Sequence, residues 1–125
     1  MNKLQLPSMD NMSISLMDVN TITPDYFVTH YMEFLPRYIA KGNPTADTMR
    51  SYQTRINTFI RWCIEHKRHP LAVNDYQMRI YREWLNSRQY KPDSIQIMLV
   101  AVRAFFTTAH KMHLIKINPT VDIEA

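Results

Sequence analysis

An all-α fold is what this sequence predicts, and three observations predict it. Apolar residues recur at spacings of three and four along four segments, and no stretch alternates apolar and polar with a period of two. The 125 residues contain one glycine, whereas tight hairpin turns and phosphate-cradling loops both draw on glycine's permissive backbone. With 46% hydrophobic and 21% charged residues the chain has a globular composition, and its length fits one domain rather than two.

Residues 1 to 22 are rich in Met, Ser and Asn, lack periodicity, and are expected to form a flexible N-terminal arm. The helical domain is expected over residues 23 to 117. Thr23, Pro24 and Asp25 supply a cap, a first-turn proline and a first-turn acid. The first helix should run to about Ala40 on Phe27, Tyr31, Phe34, Leu35 and Tyr38, with a kink or early end at Pro36. After the break at Lys41-Gly42-Asn43-Pro44, a second helix should start near Thr45 to Asp47 and reach about His66. Its apolar face is Met49, Tyr52, Ile56, Phe59, Ile60 and Cys63. Asn74 and Asp75 cap a third helix ending near Ser87, with Tyr76, Ile80, Tyr81, Trp84 and Leu85 inward. Lys91-Pro92-Asp93-Ser94 opens a fourth, ending near Met112, with Ile95, Met98, Leu99, Val102, Phe105, Phe106 and Ala109 inward. Asn118-Pro119 marks the exit, and residues 118 to 125 read as the start of a linker. Four helices with short connections suggest a compact orthogonal bundle.

The net charge of +4 is unevenly spread. Up to Ala40 acids outnumber bases, whereas from Lys41 to Arg68 six bases (Lys41, Arg50, Arg55, Arg61, Lys67, Arg68) face only Asp47 and Glu65. An anionic partner fits that excess. On a helical wheel Arg50, Thr54, Asn57, Thr58 and Arg61 lie opposite the apolar face of the second helix, with Ser51 and Asp47 at the margin and Arg55 flanking. Such a face suits phosphates and base edges, and equally suits solvent. The outward arc of the fourth helix, Gln96, Ile97, Val100, Arg103, Ala104 and Thr107, is too apolar for an indifferent solvent face. It can meet thymine methyls and adenine edges, a neighbouring helix, or a partner protein.

Catalytic signals are missing. Cys63 falls on an apolar face and has no cysteine with which to form an internal disulfide, in keeping with a reducing, cytoplasmic setting. His66 and His69, and His110 and His113, repeat a three-residue spacing but sit at expected helix ends without further ligands, so helix-terminal solvation is their expected role and no metal or cofactor is expected. No apolar run approaches the length of a membrane span, so no membrane role is expected.

The run Thr48, Tyr52, Ile56, Phe59 and Trp62, followed by Ser94-Ile95, Leu99 to Phe106 and Asn118-Pro119, resembles the N-terminal core-binding domain of tyrosine recombinases, the phage integrase family. Phe34-Leu35, Lys41-Gly42, Tyr81 and Trp84-Leu85 fall in the same order, so the likeness covers about residues 25 to 121. The resemblance implies a SAM-like four-helix domain that forms one half of a clamp on double-stranded DNA. Its partners would be a C-terminal catalytic domain of the same parent protein and other recombinase protomers on the DNA.

By position in the motif, the family's DNA-facing places fall on Arg50, Ser51 and Thr54 and on Ser94, Gln96, Ile97 and Arg103. Lys41, Arg61 and Lys91 are phosphate candidates from charge and location, and Arg55 stands where an acid is usual. Ile97 and Val100 replace polar residues, so base readout there would be apolar. The family's catalytic set is absent: no His is followed three places later by Arg, and Ala125 falls where the catalytic domain would begin. A fragment or isolated domain of an integrase, or failing that a natural stand-alone relative, with no enzymatic activity of its own is expected. The rival reading is a helical interaction module that docks a partner through the apolar outer face of the fourth helix.

Overall fold

The computed structural model describes residues 22 to 123 together with Leu6. Leu6 and Ile22 apart, the arm expected over residues 1 to 22 lies outside the described residues, as do residues 124 and 125. Among the described residues there are four α-helices, linked in part by short 3-10 turns, and no strand.

Helix α1 spans Pro24–His30. Thr23 Oγ1 accepts the Tyr26 N–H at 3.0 Å, and Pro24 occupies a first-turn position where its missing N–H costs nothing. The helix is shorter than the sequence predicts. Instead of running to about Ala40, the chain continues through 3-10 turns at Tyr31–Glu33, Leu35–Tyr38 and Ala40–Gly42. Pro36 is the physical reason, since it offers no N–H and its ring would clash with the Met32 carbonyl of a continuing α-helix. The tighter turn also shifts the register, so Ile39 enters the core while Tyr38, expected there, is exposed.

Helices α2 (Ala46–Glu65), α3 (Asp75–Ser87) and α4 (Pro92–Lys111) agree with the boundaries read from sequence. Thr45 Oγ1 caps α2 by accepting the Thr48 N–H at 3.1 Å. At α3 a reciprocal box forms, with Gln77 N–H on Asn74 Oδ1 at 2.8 Å and Asn74 N–H on Gln77 Oε1 at 2.9 Å. The chain then leaves all three helices without using its glycine. Lys67, Gln89 and His113 take left-handed φ values of 56°, 64° and 62°. Arg68 N–H and Leu114 N–H return to the Cys63 and Ala109 carbonyls, each at 2.9 Å, closing the ends of α2 and α4. A side chain in that region costs on the order of 1 kcal/mol per residue, which the closed helix ends offset.

The core centres on α4. The Phe105 ring stands 5.2 Å from Phe27, 5.5 Å from Tyr31 and 5.3 Å from Phe106, and Phe59 of α2 meets Tyr81 of α3 at 5.0 Å. Helix α3 uses a narrower stripe than predicted. Met78, Tyr81 and Leu85 are buried at spacings of three and four, whereas Tyr76 and Ile80 are exposed.

Polar groups lock α1 onto this core. Tyr31 Oη, just past the end of α1, donates to Asn57 Oδ1 at 2.7 Å, so Asn57 faces that turn rather than the open arc assigned to it. His69 corrects the expectation of a solvated helix end, for its side chain is fully buried. Leu71 N–H can only donate, so His69 Nδ1 accepts it at 3.1 Å and Nε2 carries the proton donated to Asp25 Oδ1 at 2.8 Å. Burial lowers the His69 pKa, with the Asp25 hydrogen bond and charge pulling the other way.

Candidate nucleic-acid interface

At 100° per residue, α2 turns three surfaces outward. Gln53 and Asn57 face the 3-10 turn that follows α1, where the Gln53 carbonyl and the Asn57 amide oxygen both accept from the Tyr31 hydroxyl. Arg50, Thr54 and Arg61 stand exposed on the crest. Arg55, beyond the crest and only half-buried, turns toward α4 and borders both of the hollows between the two helices.

Those hollows form one groove. Its larger part, about 420 Å³, is lined by Tyr52 and Arg55 from α2 and by Asp93, Gln96, Ile97, Val100 and Ala101 from α4. Its continuation runs past Thr58 and Arg55 to Ser94, Ile97 and Met98, with Tyr90 of the preceding loop at the edge. Ile97 and Val100 remain 46% and 43% exposed, one above the other on the α4 wall. A cation, a hydroxyl, an amide and two uncovered aliphatic side chains therefore converge on a concave surface.

The remaining cations differ in how they are held. Arg50 pairs with Asp47 one turn earlier, both side chains largely solvent-exposed, so the pair is worth little and opens readily. Among the described residues Arg55, Arg61, Lys41 and Lys91 have no carboxylate partner. Lys41 lies in the last 3-10 turn before α2 with a φ of 56°, and Lys91 is the residue that precedes α4. Thr54 and Thr58 hydroxyls donate back to the Arg50 and Thr54 carbonyls, each at 3.1 Å, which leaves their oxygens free to accept.

Arg103 has a different fate. Its guanidinium donates to the Ile123 carbonyl, and Asn118 Nδ2 donates to Thr107 Oγ1 at 3.4 Å. Residues 118 to 123, expected as the start of a linker, lie back on α4 with Pro119, Thr120 and Ile123 buried. Asn118 Oδ1 holds the turn by accepting the Thr120 N–H at 2.9 Å.

Of the predicted site residues, then, Arg55, Ser94, Gln96 and Ile97 meet in the groove. Arg50, Thr54 and Arg61 line the crest beside it with Ser51 at the margin, and Lys41 and Lys91 sit at the helix starts. Arg103, exposed on α4, is bonded to the closing segment instead of lining the groove. Thr58, expected on the polar arc of α2, lines the groove, and so do Tyr52 and Tyr90, which the sequence does not point to. Tyr52 carried the signal of a core position, and Tyr90 lies in a loop with no periodicity to place it. Burial raises the pKa of the Cys63 thiol, leaving it a packed thiol rather than a nucleophile. Among the described residues no group of three or more His, Cys, Asp or Glu is placed to hold a metal, and no helix is long and apolar enough to cross a membrane.

The family model described as phage integrase, N-terminal SAM-like domain, matches residues 31–113. No curated protein and no solved structure matches the chain. The match takes in α2, α3 and α4, and leaves α1 and the closing segment at 118 to 123 outside it.

Proposed function

Because the chain belongs to the family of phage integrase N-terminal SAM-like domains, we propose that it holds duplex DNA along the groove and crest of α2 and α4, as the non-catalytic half of a tyrosine-recombinase clamp. The observation that carries this reading is the α2–α4 groove, where an unpaired guanidinium stands beside hydroxyl, amide and aliphatic side chains on a concave wall. Arg50, Arg55, Arg61, Lys41 and Lys91 serve phosphates, and neutralising phosphates releases counterions and drives binding at low salt. Ser51, Thr54, Ser94, Gln96 and Ile97 are short or neutral enough to approach sugars and base edges. Arg103 keeps the closing segment in place instead of touching DNA.

On its own the module binds weakly and breaks no bonds. A catalytic domain on the same parent chain converts its grip into an intramolecular contact, and other protomers on the same DNA complete the assembly.

The test is an amide-shift and anisotropy titration with a short nonspecific duplex at about 50 and 200 mM salt. Shifts should cluster on α2 and the first turns of α4. Arg55→Ala should weaken binding roughly tenfold at low salt and flatten the salt slope by about 0.9. A folded protein that shows no salt-sensitive shifts overturns the reading, and salt-insensitive capture of an apolar helical peptide in the groove would put the protein-docking alternative in its place.

A further inference from the structure

We propose that Ile97 and Val100 read the 5-methyl groups of thymine, so that the DNA seated over the groove is chosen for A·T pairs at this point. The inference rests on the DNA-binding reading and specifies the bases under it.

Two uncovered aliphatic side chains are out of place on a surface that meets only phosphates. Phosphate binding makes no use of them, and leaving them wet forgoes the gain of burial. In the major groove the apolar feature of a base pair is the thymine methyl. Ile97 and Val100, three residues apart on α4, present adjacent aliphatic surfaces that are nearly equally exposed. Gln96 lines the same wall, and a glutamine amide pairs in bidentate fashion with adenine N6 and N7. Adenine and thymine are the two halves of one pair, so the amide and the aliphatic pair select the same composition by independent chemistry.

Asp93 adds the orientation. It lines the groove at the start of α4, beside Gln96 and Ile97, and a carboxylate there repels phosphate oxygens. The backbone is thereby kept off this end of the groove, and base edges are what can approach it. Arg55 on the opposite wall has no carboxylate partner among the described residues and supplies the phosphate contact across the gap.

The experiment replaces thymine by deoxyuridine, which removes the methyl and keeps every Watson–Crick hydrogen bond. The whole chain is titrated at low salt with a short alternating dA–dT duplex and with its dA–dU counterpart. The wild type should lose about fourfold in affinity for each methyl it buries. The Ile97→Ala, Val100→Ala double variant should bind both duplexes alike, at the affinity the wild type has for the dA–dU form. Both positions are exposed, and the wild-type comparison needs no variant, so misfolding does not blunt the test. Equal wild-type affinity for the two duplexes overturns the methyl reading while leaving DNA binding in place. Binding to neither duplex by the folded chain overturns the DNA-binding reading itself, and the inference with it.

Discussion

The two halves of the outer face of α4 look alike in sequence and end differently. Gln96, Ile97 and Val100 lie open in the groove with α2, whereas Arg103 and Thr107, one and two turns on, are bonded to the chain's own closing segment. Both halves are more apolar than solvent demands. The second half is tied to the Ile123 carbonyl and to Asn118 of this molecule, with Arg103 itself still exposed, and the first half has no such tie among the described residues.

The largest expected effect removes the floor that both halves share. Phe105→Ala should cost about 3–5 kcal/mol in urea unfolding, because the ring is fully buried between α1, α2 and α4. DNA binding and the closing segment should be lost together, and retention of either would break the view that they stand on one core. Next comes a pair of variants that separates the halves. Ile123→Ala should cost about 2 kcal/mol with DNA affinity nearly intact, while Ile97→Ala should leave the unfolding midpoint almost unmoved and weaken binding. The comparison fails if the two variants behave alike.

Arginines sharpen it further. Arg103→Ala should lower stability by about 1 kcal/mol through the lost bond to the Ile123 carbonyl and leave the salt slope of DNA binding unchanged, the reverse of Arg55→Ala. A flatter slope for Arg103→Ala would return that residue to the interface. The smallest effect separates the α1 seam from both halves. Burial holds the His69 pKa below the ordinary 6.5, so the unfolded chain takes up the proton first. The stability contributed by neutral His69 is therefore complete above about pH 6.5 and declines as pH falls below it. Unfolding midpoints measured across that range should show an acid-side slope that disappears in His69→Gln, and an unchanged slope would remove His69 as its source.

Much of the fold was legible because local signals and burial agreed. The caps at Thr23, Thr45 and Asn74 and the stripes of α2 and α4 gave helix boundaries that tertiary packing had no reason to move. Legibility failed where a side chain's fate depends on a distant neighbour. Asn57 is polar at an outward angle, and only the approach of Tyr31 turns it inward. His69 precedes a proline at a helix exit, and only the packing of Asp25 and Leu71 around it makes it a buried tie. Tyr76 and Ile80 read as core because their spacing fits, yet α3 meets the bundle along a stripe too narrow to reach them.

The sequence by itself determined that this protein is helical, that the positive charge gathers between Lys41 and Arg68, and that α4 is apolar on both faces, since periodicity, capping and charge are properties of neighbours in the chain. Only the tertiary structure decided that Arg55 rather than Arg50 joins Gln96 and Ile97 in one groove, and that Arg103 is bound to the chain's own end. The physical reason is rotation. Each residue turns a helix by 100°, and which flank meets a neighbour depends on how the helices pack around Phe59 and Phe105, a fact recorded in no single segment.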